Sequence, residues 1–248
     1  MKVDVFFGTQ QVAPSDTAGR LVAVIDVLRA STSIAAALAN GARAVVPFDS
    51  SDEVVARAKT LSRSEVRLAG EKKMLPIPGF DFGNSPREFT AEAVGGKTVL
   101  ICTTNGTRAL TAVQGARDVV VASYVNLTAV LALLRAALRG GTDVSIVCAG
   151  RSRQFSLEDA GCAGRFVNQV TRRLTSVELN DAALAASLID RKYGDNLMRL
   201  FLASDHGRAL REAGFEDDLT VCGTVDAFGV VPVYQERQIT KIGPERER

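Results

Sequence analysis

One histidine, His206, stands in a chain of 248 residues. That scarcity excludes zinc centres built on two or three histidine ligands. A Ser-His-Asp triad needs only one histidine, but no G-x-S-x-G elbow is present to carry its serine. Cysteine is sparse as well. Cys102, Cys148, Cys162 and Cys222 contain no pair at C-x-x-C spacing, so neither a disulfide framework nor a four-cysteine zinc site is indicated. Reduced, buried cysteines acting as small apolar residues are expected. Tryptophan is absent and aromatics make up 6%, which leaves the core to Ala, Val and Leu, as in helices packed on a buried parallel sheet. Net charge is +2, so no global field draws the chain to nucleic acid or a membrane surface. Affinity for anions must therefore be local. No apolar run is long enough to span a bilayer, and the first seven residues lack the basic-then-apolar layout of a signal peptide. The expectation is a cytoplasmic protein with neither a membrane nor a nucleic-acid partner.

What is present is a repeated unit: an apolar strand, a turn of small polar residues, then an Ala/Leu-rich helix. Leu21–Val27 leads into Arg29-Ala30-Ser31-Thr32-Ser33 and a helix through Leu38. Lys97–Cys102 leads into Thr103–Thr107 and a helix near Arg108–Val113. Asp143–Cys148 leads into Ala149-Gly150-Arg151 and a helix over Leu157–Leu174. Further strands are predicted near Ala44–Phe48, Glu65–Ala69 and Asp118–Ala122, and helices near Ser51–Leu61 and Leu127–Leu138. Alternation of this kind indicates βαβ units. The expected fold is a three-layer α/β/α arrangement on a largely parallel sheet. Gly70–Pro86, with three prolines and several glycines, reads as an ordered loop. Beyond Asn180 the pattern turns helical, with Asp181–Tyr193, Asn196–Leu202 and Gly207–Ala213, plus short strands at Thr220–Cys222 and Val230–Tyr234. One domain over 1–248 is expected, with 175–180 the place where a second subdomain would begin.

Ligands of open α/β sheets collect beyond the carboxyl ends of the strands, and three polar clusters fall there. The first is Asp26 with Arg29, Ser31 and Thr32. An acid at the end of an apolar strand is costly unless a cation sits beside it. A metal ion or Arg29 can serve, and Ser31 can be a simple helix cap. The second is Cys102-Thr103-Thr104-Asn105-Gly106-Thr107-Arg108, whose hydroxyls and glycine suit an oxyanion cradle. Its Cys-x5-Arg spacing is also that of cysteine-dependent phosphatases, although a core position is the commoner fate of a free cysteine. The third is Arg151, Ser152 and Arg153 with Glu158 and Asp159. Those acids suit magnesium, which takes one or two carboxylates with water and substrate oxygens. They equally suit the positive start of a helix.

Taken together, Val24–Ser33, Pro78–Pro86, Thr103–Leu110 and Cys148–Gly150 with Leu157–Gly161 resemble the 2-phosphosulfolactate phosphatase family of coenzyme M biosynthesis. Ser204, His206, Gly207, Leu210 and Asp218 match more weakly. The resemblance spans nearly the whole chain. It implies a magnesium-dependent phosphomonoester hydrolase that converts 2-phospho-3-sulfolactate to 3-sulfolactate. That substrate carries phosphate, sulfonate and carboxylate, about four negative charges near neutral pH.

The resulting expectation assigns magnesium to carboxylates among Asp26, Glu71, Glu158 and Asp159. Glu71 is included because it follows a strand at the mouth of the Pro/Gly loop. Phosphate is expected on the Ser31–Thr32 and Thr104–Thr107 turns, with Arg29, Arg108, Arg151 and Arg153 as cations and Asn84 and Ser85 as loop contacts. A carboxylate or the metal activates water, and His206 is a candidate acid for the leaving alkoxide. Asp26 can alternatively act as a nucleophile, but the second aspartate usual in that class is replaced by Leu28. A cysteine phosphatase on Cys102 and Arg108, and a non-catalytic metabolite-binding protein, are the competing readings. A homodimer is the base-rate expectation.

Overall fold

The computed structural model describes residues 1–152, 154–174 and 176–242. Its strands are β1 (Lys2–Phe6), β2 (Leu21–Ile25), β3 (Ala44–Phe48), β4 (Val66–Lys72), β5 (Leu75–Pro76), β6 (Thr98–Cys102), β7 (Asp118–Ala122), β8 (Val144–Cys148), β9 (Glu178–Leu179), β10 (Pro232–Gln235) and β11 (Gln238–Lys241). Its helices are α1 (Ala30–Ala39), α2 (Ser51–Ala58), α3 (Ala91–Val94), α4 (Gly106–Ala112), α5 (Leu127–Arg139), α6 (Leu157–Thr171), α7 (Asp181–Tyr193), α8 (Leu197–Ala203), α9 (Asp205–Glu212) and α10 (Glu216–Cys222). Among the described residues no helix is long and apolar enough to cross a membrane.

β2 shows why the fold has three layers. All five of its residues are buried. Leu21, Ala23 and Ile25 join one apolar cluster with α5, α6 and α7, while Val22 and Val24 join another with α1 and α4. Side chains of a strand alternate between faces, so helices must cover both. The sheet order is β5-β4-β6-β3-β11-β10-β7-β2-β8-β1-β9. β4, β6 and β3 form one parallel block, and β7, β2, β8 and β1 form another. The β10–β11 hairpin lies between them and is antiparallel to both neighbours. The two blocks therefore run in opposite senses along the sheet. Twist of roughly 20–25° per strand pair accumulates over the intervening pairings to on the order of 100°. The blocks are not coplanar, and the carboxyl ends of β2 and β6 meet.

Two local readings are corrected. Thr220–Cys222, expected as a strand, is the last turn of α10. Three acids, Glu216, Asp217 and Asp218, favour a helix start there, and Leu219 and Cys222 bury at i, i+3 spacing. Gly70–Pro86 is not wholly irregular, because β4 and β5 form a hairpin within it. β1 and β11 alternate buried and more exposed residues and so present no continuous apolar run. The C-terminal third shares the main core: Leu200, Phe201, Leu210 and Leu219 cluster with Val3, Val5 and Ile146.

The α6–α7 contact is among the closest in the fold. A Cβ on Gly164 would lie 1.9 Å from the carbonyl oxygen of Ala186, so only glycine lets the two backbones approach. Gly164→Ala is expected to destabilise the protein by about 2–3 kcal/mol through overpacking, read as a lower urea midpoint at unchanged m-value.

Candidate active site

Asp26 directly follows β2, and the loop is built around it. Its backbone N–H donates to Ser31 Oγ at 2.8 Å, and its carbonyl accepts from the Ser31 N–H at 2.8 Å. The Ala30 N–H donates to Asp26 Oδ1 at 3.4 Å. Thr32 turns its hydroxyl inward, donating to the Val27 carbonyl at 2.9 Å beside Ser123. Neither Ser31 nor Thr32 lines the cleft, so the expected Ser31–Thr32 phosphate turn belongs to the loop's own bonding.

The cleft has a volume of about 490 Å3. Asp26, Leu28 and Arg29 line it from the β2 loop, and Glu71, Lys72, Lys73 and Met74 from the β4–β5 hairpin. Asn84 follows from the same long segment. Thr103, Thr104 and Asn105 come from the end of β6, Arg151 and Ser152 from the end of β8, and His206 from the start of α9. An adjoining cavity of about 380 Å3 shares Arg151, Ser152 and His206 and is walled by Glu158.

Carboxylates join these segments. Asp159 Oδ1 accepts the Val27 N–H at 2.8 Å, and its Oδ2 accepts the Gly150 N–H at 3.2 Å. It therefore ties the loops after β2 and β8 together from α6. Glu71 Oε1 accepts from the Thr104 N–H at 2.9 Å and the Thr104 hydroxyl at 2.7 Å, while Oε2 accepts the Met74 N–H at 2.8 Å. Asn105 Oδ1 accepts the Ser152 N–H at 3.2 Å. Arg29, buried, donates to Asp218 Oδ2 at 2.7 Å and to the Met74 carbonyl at 2.9 Å, and lies over the Phe215 ring at 4.4 Å. Asp218 in turn accepts from Ser85 Oγ at 2.6 Å. Arg29 thus pairs with Asp218, and not with Asp26.

His206 reaches the cleft because of the residue that follows it. A Cβ on Gly207 would lie 2.0 Å from the Phe201 carbonyl oxygen. Glycine there lets α8 turn tightly into α9, with Ser204 Oγ accepting the Gly207 N–H at 3.0 Å. His206 Nδ1 then sits 3.2 Å from Glu158 Oε1, an ion pair when the ring is protonated, and neither Glu158 oxygen has a hydrogen bond of good geometry among the described residues. Nε2 has no partner among the described residues.

The acids titrate apart. Burial, with added repulsion from Glu158 and Glu71, raises the Asp26 carboxyl to about 6, although His206 and the Ala30 N–H oppose the shift. Burial and the charges of Glu158 and Asp26 raise Asp159 well above the carboxylate range. Burial also pushes Glu158 upward, but His206, its own backbone N–H and Ser156 outweigh it, and the net direction is down. Among the described residues no three His, Cys, Asp or Glu side chains gather as a metal cluster. Both oxygens of Glu71 and of Asp159 are taken by donors. Asp26 and Glu158 have oxygens to spare, and magnesium asks for no more than one or two carboxylates. Of the four candidate carboxylates, Asp26 and Glu158 are therefore the two with the donor capacity such an ion needs.

The cysteine-phosphatase geometry does not assemble. Cys102 packs with Val54, Val66 and Leu100 and lines neither cavity. Burial, then Glu71, Asp49 and Glu53, push its thiol up, the wrong direction for a thiolate nucleophile. Arg108 is exposed and outside the cleft. Gly106 backs the cleft without lining it, since a Cβ there would lie 2.7 Å from Ala30 Cβ and 3.1 Å from Asp26 Oδ2. Thr107 and Ser85 are buried behind the wall. Arg153 lies outside the described residues. Sequence reasoning missed Lys72 and Lys73, whose signal was only their adjacency to Glu71. It also missed that Asn84 would present a buried Oδ1 without a partner among the described residues.

A model of the 2-phosphosulpholactate phosphatase family matches residues 7–237. A probable 2-phosphosulfolactate phosphatase of Symbiobacterium thermophilum is 42% identical over 224 residues, covering 90% of this chain and 95% of the relative. One of Caldanaerobacter subterraneus is 38% identical over 211 residues (85% and 86%), and one of Clostridium beijerinckii 35% over 240 residues (97% and 99%).

The raised Asp26 carboxyl has a consequence for stability. Its folded value of about 6 lies above its unfolded value of 3.8, so the native state favours the protonated form. Stability from this group is full below pH 3.8 and is lost as pH rises through about 6. In protein without added divalent cation, Asp26→Asn is expected to exceed the wild type by about 3 kcal/mol at pH 8 and by only about 1 kcal/mol at pH 4.5. Urea unfolding at the two pH values measures both.

Proposed function

The chain belongs to the 2-phosphosulfolactate phosphatase family, and from that premise we propose that the cleft hydrolyses 2-phospho-3-sulfolactate to 3-sulfolactate and inorganic phosphate with the help of magnesium. The observation that carries the reading is Asp26. It is a buried carboxylate at the end of a central strand, raised to about 6, facing a cleft that also receives Lys72, Lys73 and Arg151. A site with acids alone would repel a substrate bearing about four negative charges, and one with cations alone would leave Asp26 no reason to be there. Both belong together if a divalent cation joins the acids to the substrate's oxygens.

Asp26 would hold the ion with Glu158 as the second carboxylate. When bound, magnesium neutralises phosphoryl charge and polarises the group towards attack. The chain's own residues do the rest. Arg151, with its planar fork, suits a phosphoryl or carboxylate oxygen pair. Asn105 lines the cleft, and its N–H has no acceptor among the described residues and is available to a phosphate oxygen. Water attacks phosphorus as the bond to the lactate oxygen breaks, and the departing alkoxide takes a proton. His206 is suited to give it, because Glu158 holds the Nδ1 side of the ring and Nε2 is left free. Within coenzyme M biosynthesis, the same reading makes this the step that frees sulfolactate.

The test is phosphate release from 2-phospho-3-sulfolactate by metal-stripped protein before and after magnesium is restored. Release that depends on magnesium is expected. Asp26→Asn should lower kcat by more than about 100-fold while the protein remains folded, and His206→Asn by about 10²–10⁴-fold, the usual worth of a general acid. Cys102→Ala should keep kcat/KM within about threefold, since a buried thiol with a raised pKa takes no part. Release without metal, or its loss in Cys102→Ala, would return the chemistry to Cys102. Tight binding of the substrate without turnover would leave a metabolite-binding protein.

A further inference from the structure

We infer that the Lys72–Lys73 corner of the β4–β5 hairpin recognises the substrate's strong, non-reacting anion, the sulfonate, and so sets which phosphomonoester the cleft accepts. The inference rests on the functional reading above and goes beyond it by naming the residues that select the substrate.

Three observations carry it. The corner is held in an uncommon shape: Lys72 pairs with Leu75 across the hairpin, and the two residues between them, Lys73 and Met74, have φ of 52° and 72°. Two successive left-handed residues make the tight hairpin turn that normally takes Asn and Gly. Lysine and methionine accept it only where surroundings over-determine it, a condition concentrated at functional sites. Those surroundings belong to the site itself. The Met74 N–H donates to Glu71 Oε2 at 2.8 Å, and the Met74 carbonyl accepts from Arg29 Nη2 at 2.9 Å. Glu71 also holds Thr104, so the corner is fixed to the segments that form the cleft.

The charges are also unspent. Arg29 is matched by Asp218 at 2.7 Å, whereas Lys72 and Lys73, both at the cleft wall, have side chains with no ion-pair or hydrogen-bond partner among the described residues. A sulfonate is ionised at every physiological pH and spreads its charge over three oxygens. Two flexible ammonium groups, each a compact point charge with three donors, can share those three oxygens.

The decisive comparison uses 2-phospho-3-sulfolactate and 2-phospholactate, which differ only in the sulfonate. Wild type, Lys72→Met, Lys73→Met and the double variant are assayed with both substrates under magnesium. In the double variant, KM for the sulfonated substrate is expected to rise about tenfold with little change in kcat, the scale of losing charge-assisted contacts. KM for 2-phospholactate should change far less, so the preference between the two collapses. Equal losses on both substrates would mean that the lysines hold the phosphoryl group and would overturn the inference. An intact preference in the double variant would overturn it as well. Binding of 3-sulfolactate and of lactate by calorimetry separates this inference from the functional reading. If the wild type turns over neither substrate yet binds 3-sulfolactate more tightly, and the double variant loses that difference, the functional reading fails and the recognition element stands. No difference in the wild type overturns the recognition element, whatever the turnover.

Discussion

Arg29 carries its charge where only 3% of the residue is exposed, and much of the cleft's architecture answers that fact. A buried guanidinium needs an acid and several acceptors. Breaking such a pair by removing one partner costs about 3–5 kcal/mol, because the other charge is left uncompensated. The acid here is Asp218 on α10, nearly two hundred residues along the chain. One acceptor is the Met74 carbonyl on the hairpin, and Asp218 is further satisfied by Ser85. One ion pair thus gathers the β2 loop, both ends of the long Pro/Gly segment and the C-terminal helices. It explains why the last third of the chain, which looks like an appendage, shares the core and supplies His206.

The other acids around the cleft divide into two kinds. Asp159 and Glu71 have every oxygen filled by donors from neighbouring loops, and they act as crosslinks. Asp26 and Glu158 keep oxygens without full hydrogen bonds, and their titrations are driven apart, up for the first and down for the second. Environments that separate the pKa values of neighbouring groups are how one site holds both an acid and a base. Crosslinking acids are as necessary as the open ones, since a cleft built from loops of four strands has no other means of keeping them in register.

The sheet contributes the convergence. Two parallel blocks of opposite sense are joined by a hairpin from the chain's end, and twist across that junction brings the carboxyl ends of β2 and β6 face to face. Gly106 marks the contact, since a side chain there would strike both Ala30 and the Asp26 carboxylate. The polar turns that follow β2, β6 and β8 then line one cleft, although their strands belong to different blocks.

The sequence by itself determined the layers, most of the elements and the strand ends at which chemistry gathers. Buried parallel strands must be continuous apolar runs, and the polar turns after them stand out against those runs. It also carried the family, through several ordered motifs, and it singled out Asp26, Glu158 and His206. Only the tertiary structure decided which polar side chains face the cleft and which serve the scaffold. Ser31, Thr32, Asp159 and Glu71 have the right chemistry for ligands, yet the first two are consumed inside their own loop and the last two by tying neighbouring loops together. Lys72 and Lys73 look like ordinary surface lysines until Arg29 and Glu71 fix their turn at the cleft. The reason is that hydrogen-bond partners are assigned by proximity in three dimensions. A residue's capacity to bind a ligand is what remains after those partners have been met.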